Sequence, residues 1–139
     1  MAVERCPLPR ARTPQAMILL DTNALLWSQL ERPRARPLRR HAGQLRVSPA
    51  TLLELHFLLE SGRLRAADAG AIEDVVGDGR WKLDEPPAGA WLREAGRLAW
   101  TRDPFDRLIV AHAQLRGWRL ATGDAALIKR LGDERSLAL

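Results

Sequence analysis

From Met17 onward the chain alternates apolar runs of three or four residues with longer amphipathic stretches, and runs that short are buried only as strands. The runs are 17–20, 45–47, 81–83 and 118–121. Between them the spacing predicts helices over about 24–30, 49–61, 66–76, 88–98, 104–116 and up to Leu131, with a short helix near 38–43 after a solvated, proline-broken connection at 31–40. The punctuation agrees with this reading. Ser48-Pro49 and Asp103-Pro104 each set a capping side chain before a proline that suits the first helical turn, and Asp124 caps the last helix. Gly62, Gly77-Asp78-Gly79 and Gly117 end helices. Strands that alternate with helices in this way predict an α/β fold with a central parallel sheet covered on both faces.

A length of 139 residues at 46% hydrophobic content suits one core and one domain. Residues 1–16, with three prolines and three arginines, contain no apolar segment long enough for a signal-peptide core or a membrane span. They are expected to form a flexible basic tail ahead of a domain over 17–139, and initiation at Met17 would leave that tail as an extension. Cys6 is the only cysteine, which excludes an internal disulfide and a cysteine-rich zinc site and fits a reducing cytoplasm. Lys and Arg outnumber Asp and Glu by 22 to 17, almost all of the cations being arginine, a residue that forks onto phosphate oxygens. A GC-rich genome produces the same excess, so an anionic partner is favoured without being established.

Against this basic background four acids stand out. Asp21 ends the apolar run Met17-Ile18-Leu19-Leu20 and opens a helix, where a charge is costly unless something binds it. Asp124 follows the strand over 118–121, Asp106 falls in the first turn of its helix, and Glu54 interrupts the apolar Leu52-Leu53-Glu54-Leu55. In an open parallel sheet these positions converge on the edge that binds ligands. Carboxylates brought together raise one another's pKa unless a cation neutralises them, and Mg²⁺ or Mn²⁺ is the natural counter-charge for an all-oxygen site.

The segments Leu19-Leu20-Asp21-Thr22-Asn23-Ala24-Leu25-Leu26, Ser48-Pro49-Ala50-Thr51-Leu52-Leu53-Glu54-Leu55, Asp103-Pro104-Phe105-Asp106-Arg107-Leu108-Ile109-Val110-Ala111 and Thr122-Gly123-Asp124 together resemble the motifs of PIN-domain ribonucleases, in particular VapC-type toxins of bacterial toxin–antitoxin pairs. The resemblance spans nearly all of 17–131. It implies a three-layer α/β/α sandwich, an Mg²⁺- or Mn²⁺-dependent endoribonuclease acting on RNA, a homodimer, and inhibition by a cognate antitoxin protein. On the matching positions Asp21, Glu54, Asp106 and Asp124 form the acidic quartet, with Asp21 central. Asp106 aligns with the third acid of the family, whereas Asp103, ahead of Pro104, reads as an N-cap able to stand in a second shell.

Thr22, Asn23 and Thr122 flank the acids and are placed to hydrogen-bond them or hold water, though all three are also ordinary cap and turn residues. Arg102 and Arg107 border the third acid and are the RNA-phosphate candidates. His41, His56 and His112 lack metal-ligand spacing, and His112 shares an apolar face with Phe105, Leu108 and Ile109, as a packed structural histidine does. Trp27, Trp91 and Trp100 read as core or subunit contacts, since none sits in a basic aromatic stripe. A haloacid-dehalogenase phosphatase would need a second aspartate where Asn23 stands. The remaining alternatives are a PIN nuclease of RNA processing outside toxin–antitoxin biology and a non-catalytic RNA-binding module, which would not call for four acids in a cleft.

Overall fold

A computed structural model describes residues 16–65 and 79–139. The expected tail and the helix expected at 66–76 lie outside the described residues. Five strands, β1 (Ile18–Leu20), β2 (Leu45–Val47), β3 (Lys82–Leu83), β4 (Arg119–Thr122) and β5 (Ser136–Ala138), form one sheet in the order β3-β2-β1-β4-β5, with every pairing parallel. Parallel neighbours need crossovers, and these are supplied by α1 (Thr22–Gln29), a 3₁₀ segment (Pro33–His41), α2 (Pro49–Glu60), α3 (Ala88–Gly96), α4 (Pro104–Arg116) and α5 (Ala125–Leu131).

Strand alternation divides the core into two layers. Ile18 and Leu20 point into a cluster with Leu25, Leu38, Val47, Leu55 and Trp81 under α1, the 3₁₀ segment and α2. Leu19 and Leu120 point the other way, into a cluster with Ala95, Ile109, Val110, Leu127 and Leu131 beneath α3, α4 and α5. This is the expected three-layer α/β/α sandwich.

Five local readings change. Helix α1 begins at Thr22 rather than residue 24, because Asp21 is itself the N-cap, its Oδ1 accepting from the Ala24 amide at 2.7 Å. The stretch read as a solvated connection coils into the 3₁₀ segment. Its prolines forbid regular α-helical hydrogen bonding, yet Ala35 and Leu38 are buried. Helix α3 stops at Gly96, two residues early, although Leu98 beyond it still enters the core. Strand β4 runs one residue later than the apolar pattern, and β5 is an addition. Ser136-Leu137-Ala138 carries too little pattern to be seen locally and pairs only because β4 presents an open edge.

The sheet order fixes the position of the site. The chain winds from β1 outward through β2 to β3, then returns to the other side of β1 as β4, so the topological switch point lies between β1 and β4. Open α/β sheets carry their ligand crevice beyond the carboxyl ends of the strands at this point.

Candidate active site

Asp21 immediately follows β1, and its amide donates to the Ala121 carbonyl of β4 at 3.0 Å, pinning it across the switch point. It is only 8% exposed. Asp124, just past β4, caps α5 with Oδ1, which accepts from the amides of Ala126 (2.8 Å) and Leu127 (3.2 Å). Asp103 caps α4 in the same way through Phe105 (2.8 Å) and Asp106 (3.1 Å), and Asp106 follows in the first turn. All three caps use Oδ1, leaving Oδ2 of each outside the capping bonds. Glu54 reaches in from the middle of α2. One cavity of about 240 Å³ has Asp21, Thr22, Asn23, Glu54, Asp103, Asp106 and Asp124 in its wall, together with Arg63, and is floored by Leu58, Ile109 and Leu127. All four expected acids therefore meet, and Asp103 joins them as both cap and fifth carboxylate.

Two threonines tie the acids to the scaffold. The Thr122 hydroxyl accepts from the Asp124 amide at 3.1 Å and donates to the Asp21 carboxylate, linking two corners of the site through one oxygen. Buried Thr22 hydrogen-bonds Glu54, with the Thr51 hydroxyl 3.5 Å behind it. Asn23 is exposed at the rim. Arg102 is exposed, and Arg107 turns back, its Nε donating to the Thr101 carbonyl at 2.7 Å.

The electrostatics are those of crowded anions. Burial and then repulsion by Asp103, Glu54, Asp124 and Asp21 push the Asp106 carboxyl up to about 7. Glu54 is raised by burial and by Asp103 and Asp21, against the opposing bond from Thr22. Asp21 is raised chiefly by burial, opposed by its bonds to Thr122 and Ala24 and by the charge of Arg34. The donors are all oxygens, as a hard divalent cation requires. Among the described residues no three acidic, imidazole or thiol groups converge into a closed metal cage, so the carboxylates line the walls of the pocket. Mg²⁺ keeps several of its waters and takes few carboxylates directly, so carboxylates lining a pocket without forming a closed cage fit such an ion.

Two arginines escaped sequence reading. Arg63 lies in a polar stretch beyond α2 with no motif to mark it, and Arg34 sits in the segment read as a connection. The Arg34 guanidinium stands 4.0 Å from the Trp27 ring centroid, and its Nη2 donates to the main-chain oxygens of Gly123 (3.4 Å) and Leu139 (3.3 Å). A Cβ at position 123 would stand 2.5 Å from Trp27 and 2.6 Å from Arg34, so only glycine admits this stack beside Asp124. A larger cavity, about 470 Å³, borders the 3₁₀ segment and is lined by Arg32, Arg36, Arg39 and Arg80 over Leu38 and Leu45. Among the described residues Glu31 is the only acid in its wall.

The PIN-domain family matches residues 18–133, from the start of β1 to just beyond α5. The chain belongs to the PIN-domain family. Solved structures of this PIN fold include VapBC2 from Rickettsia felis bound to a promoter DNA fragment (TM-score 0.66, 17% identity, 88% of this chain and 98% of that one covered). VapBC-1 from nontypeable Haemophilus influenzae is similar (0.63, 20% identity, 88% and 97% covered), as is a toxin–antitoxin complex from Klebsiella pneumoniae (0.59, 18% identity, 87% and 96% covered). At these identities the likeness is one of fold. No curated protein matches the sequence significantly. Among the described residues no helix of this PIN domain is long and apolar enough to cross a membrane.

Proposed function

We propose that this PIN domain is a metal-dependent endoribonuclease acting in the cytoplasm as the toxin of a toxin–antitoxin pair. The observation that carries the reading is the convergence of Asp21, Glu54, Asp106 and Asp124 on one pocket at the β1/β4 switch point, with Asp106 driven up to about 7 by burial and then by its acidic neighbours. Crowding of this kind is stabilised by a cation, and an oxygen-only donor set suits Mg²⁺ or Mn²⁺. When bound, such an ion supplies Lewis acidity to a phosphodiester.

The chain's own part is to hold the acids. Asp21 is the central ligand, with Asp106 beside it and Glu54 and Asp124 completing the ring directly or through water. Thr122 keeps Asp21 and Asp124 in register, Thr22 orients Glu54, and Asp103 sets the start of α4 so that Asp106 faces the pocket. Fold likeness to VapBC assemblies and to a toxin–antitoxin complex supports a cognate antitoxin as partner. A homodimer is in keeping with Leu92 and Leu115, apolar yet exposed on α3 and α4. A non-catalytic RNA-binding module leaves the buried carboxylate of Asp21 unexplained.

The purified protein should cut single-stranded RNA in Mg²⁺ or Mn²⁺ and stop when EDTA is added, with Asp21→Asn slowing cleavage by at least about a hundredfold. Expression should arrest growth, relieved by the product of the adjacent gene. Undiminished cleavage by the Asp21→Asn protein would overturn the mechanism, and harmless expression of an active nuclease would leave a PIN enzyme of RNA processing.

A further inference from the structure

We propose that Arg63 and the Trp27-stacked Arg34 are phosphate contacts on opposite sides of the acid pocket, so that a single RNA strand crosses the site from the end of α2 to the Gly123–Asp124 corner. This rests on the nuclease reading and adds to it a path for the substrate. A ring of carboxylates repels a polyanion, so the strand needs cations beside the pocket. Of the two arginines nearest the third acid in sequence, Arg107 has its Nε committed to the Thr101 carbonyl. Arg63 is exposed and forms part of the pocket wall itself, on the side of Glu54 and Leu58.

Arg34 is held at the other side by features that point to orientation rather than chance. Its guanidinium carbon lies over the Trp27 ring, and two main-chain oxygens take only Nη2, so the remaining N–H groups lie outside those bonds. The loop approaches so closely that any side chain at position 123 would collide with the stack. The charge also acts on Asp21 within the pocket. A planar, preoriented guanidinium matches a phosphate's paired oxygens, whereas a flexible lysine does not.

The test is the salt dependence of binding, which a merely structural arginine would not move. A labelled single-stranded RNA of about ten nucleotides is titrated with the full chain by fluorescence anisotropy over a KCl series, with Ca²⁺ as the divalent ion. Arg34→Gln and Arg63→Gln should each weaken binding about fivefold at low salt and reduce the slope of log K against log[KCl] by about 0.7, and the double variant by about twice that. Arg34→Lys should keep the slope and still lose affinity, having charge without the forked guanidinium. Arg93→Gln, on α3, is the control and should leave the slope alone. Circular dichroism and melting confirm folding, and Arg63→Gln and Arg34→Lys stand as independent arms should Arg34→Gln unfold. Unchanged slopes, or an equal change with Arg93→Gln, would overturn the proposal. Cleavage of the same RNA in Mg²⁺ separates the two readings: cleavage with unchanged slopes removes the path and leaves the nuclease, whereas arginine-dependent binding without any cleavage removes the nuclease and leaves the path.

Discussion

The two ends of α4 treat buried charge in opposite ways. At its amino end Asp106 faces Asp103, Glu54, Asp124 and Asp21, and its carboxyl is pushed up to about 7 because burial and like charge act together. At its carboxyl end a carboxylate is neutralised where it stands. Asp84, just after β3, lies 2.7 Å from His112 Nε2 and accepts from Arg116 Nε at 2.9 Å and Nη2 at 3.3 Å. Burial would raise Asp84, but the bonds from His112 and Arg116 outweigh it and hold the carboxyl below its usual value. His112 is fully buried between Trp91 and Trp118, and burial lowers its pKa. The difference is one of charge balance. The Asp84 carboxylate is paired within the fold, although the buried Nδ1 of His112 finds no partner among the described residues. Asp106 faces like charge at a cost in stability, and a cluster left unbalanced in this way is the candidate for a functional one.

The sharpest break in this comparison comes from the charge-paired end. His112→Ala leaves a void between two tryptophans and strips Asp84 of a partner, and should cost about 2–3 kcal/mol in a denaturant melt while leaving Mn²⁺ affinity intact. A melt unchanged by this variant would show that the cluster is ornamental. At the incomplete end, Thr122→Val removes the hydroxyl that joins Asp21 to Asp124, and Mn²⁺ binding followed by calorimetry should weaken about tenfold. Equal affinity would mean that Thr122 serves the strand and not the site.

The smallest effect has the most specific signature. The folded chain keeps the Asp106 proton up to about pH 7, whereas the unfolded chain releases it near the usual aspartate value of 3.8, so without metal the fold loses stability as pH rises through that window. Asp106→Asn should therefore raise the melting temperature of the metal-free protein by about 3 °C at pH 8, a figure kept small because the group is only half-buried, and by progressively less as the pH falls toward 4. A gain that is the same at every pH would show that repulsion among the acids is not its source.

The acids were legible because each sits beside a local signal. Asp21 and Asp124 follow strands, Asp103 precedes a proline, Asp106 falls one turn later, and Glu54 is a charge inside an apolar helix. Strand β2 and helix α4 could be bounded from sequence for the same reason, since the apolar period and the cap residues act over a few positions. Arg34 was not legible, because its partners Trp27, Gly123 and Leu139 lie up to 105 residues away in the chain. The Asp84–His112 pair, 28 residues apart, was half visible: the apolar face around His112 marked it as packed, but nothing local named its partner.

By itself the sequence determined most of the alternation of strand and helix, the capped starts of α2, α4 and α5, and the four carboxylates beside those signals, all of which depend on short-range sterics, hydrogen bonding and hydrophobic period. Only the tertiary structure decided that β4 returns beside β1, bringing Asp124 to Asp21, that Asp103 joins the acids in the pocket wall, that Arg63 lines the same pocket, and that Arg34 meets the Gly123 carbonyl next to Asp124. Those arrangements depend on which surfaces of distant segments pack together, and that choice is made by the whole core at once rather than by any stretch of chain.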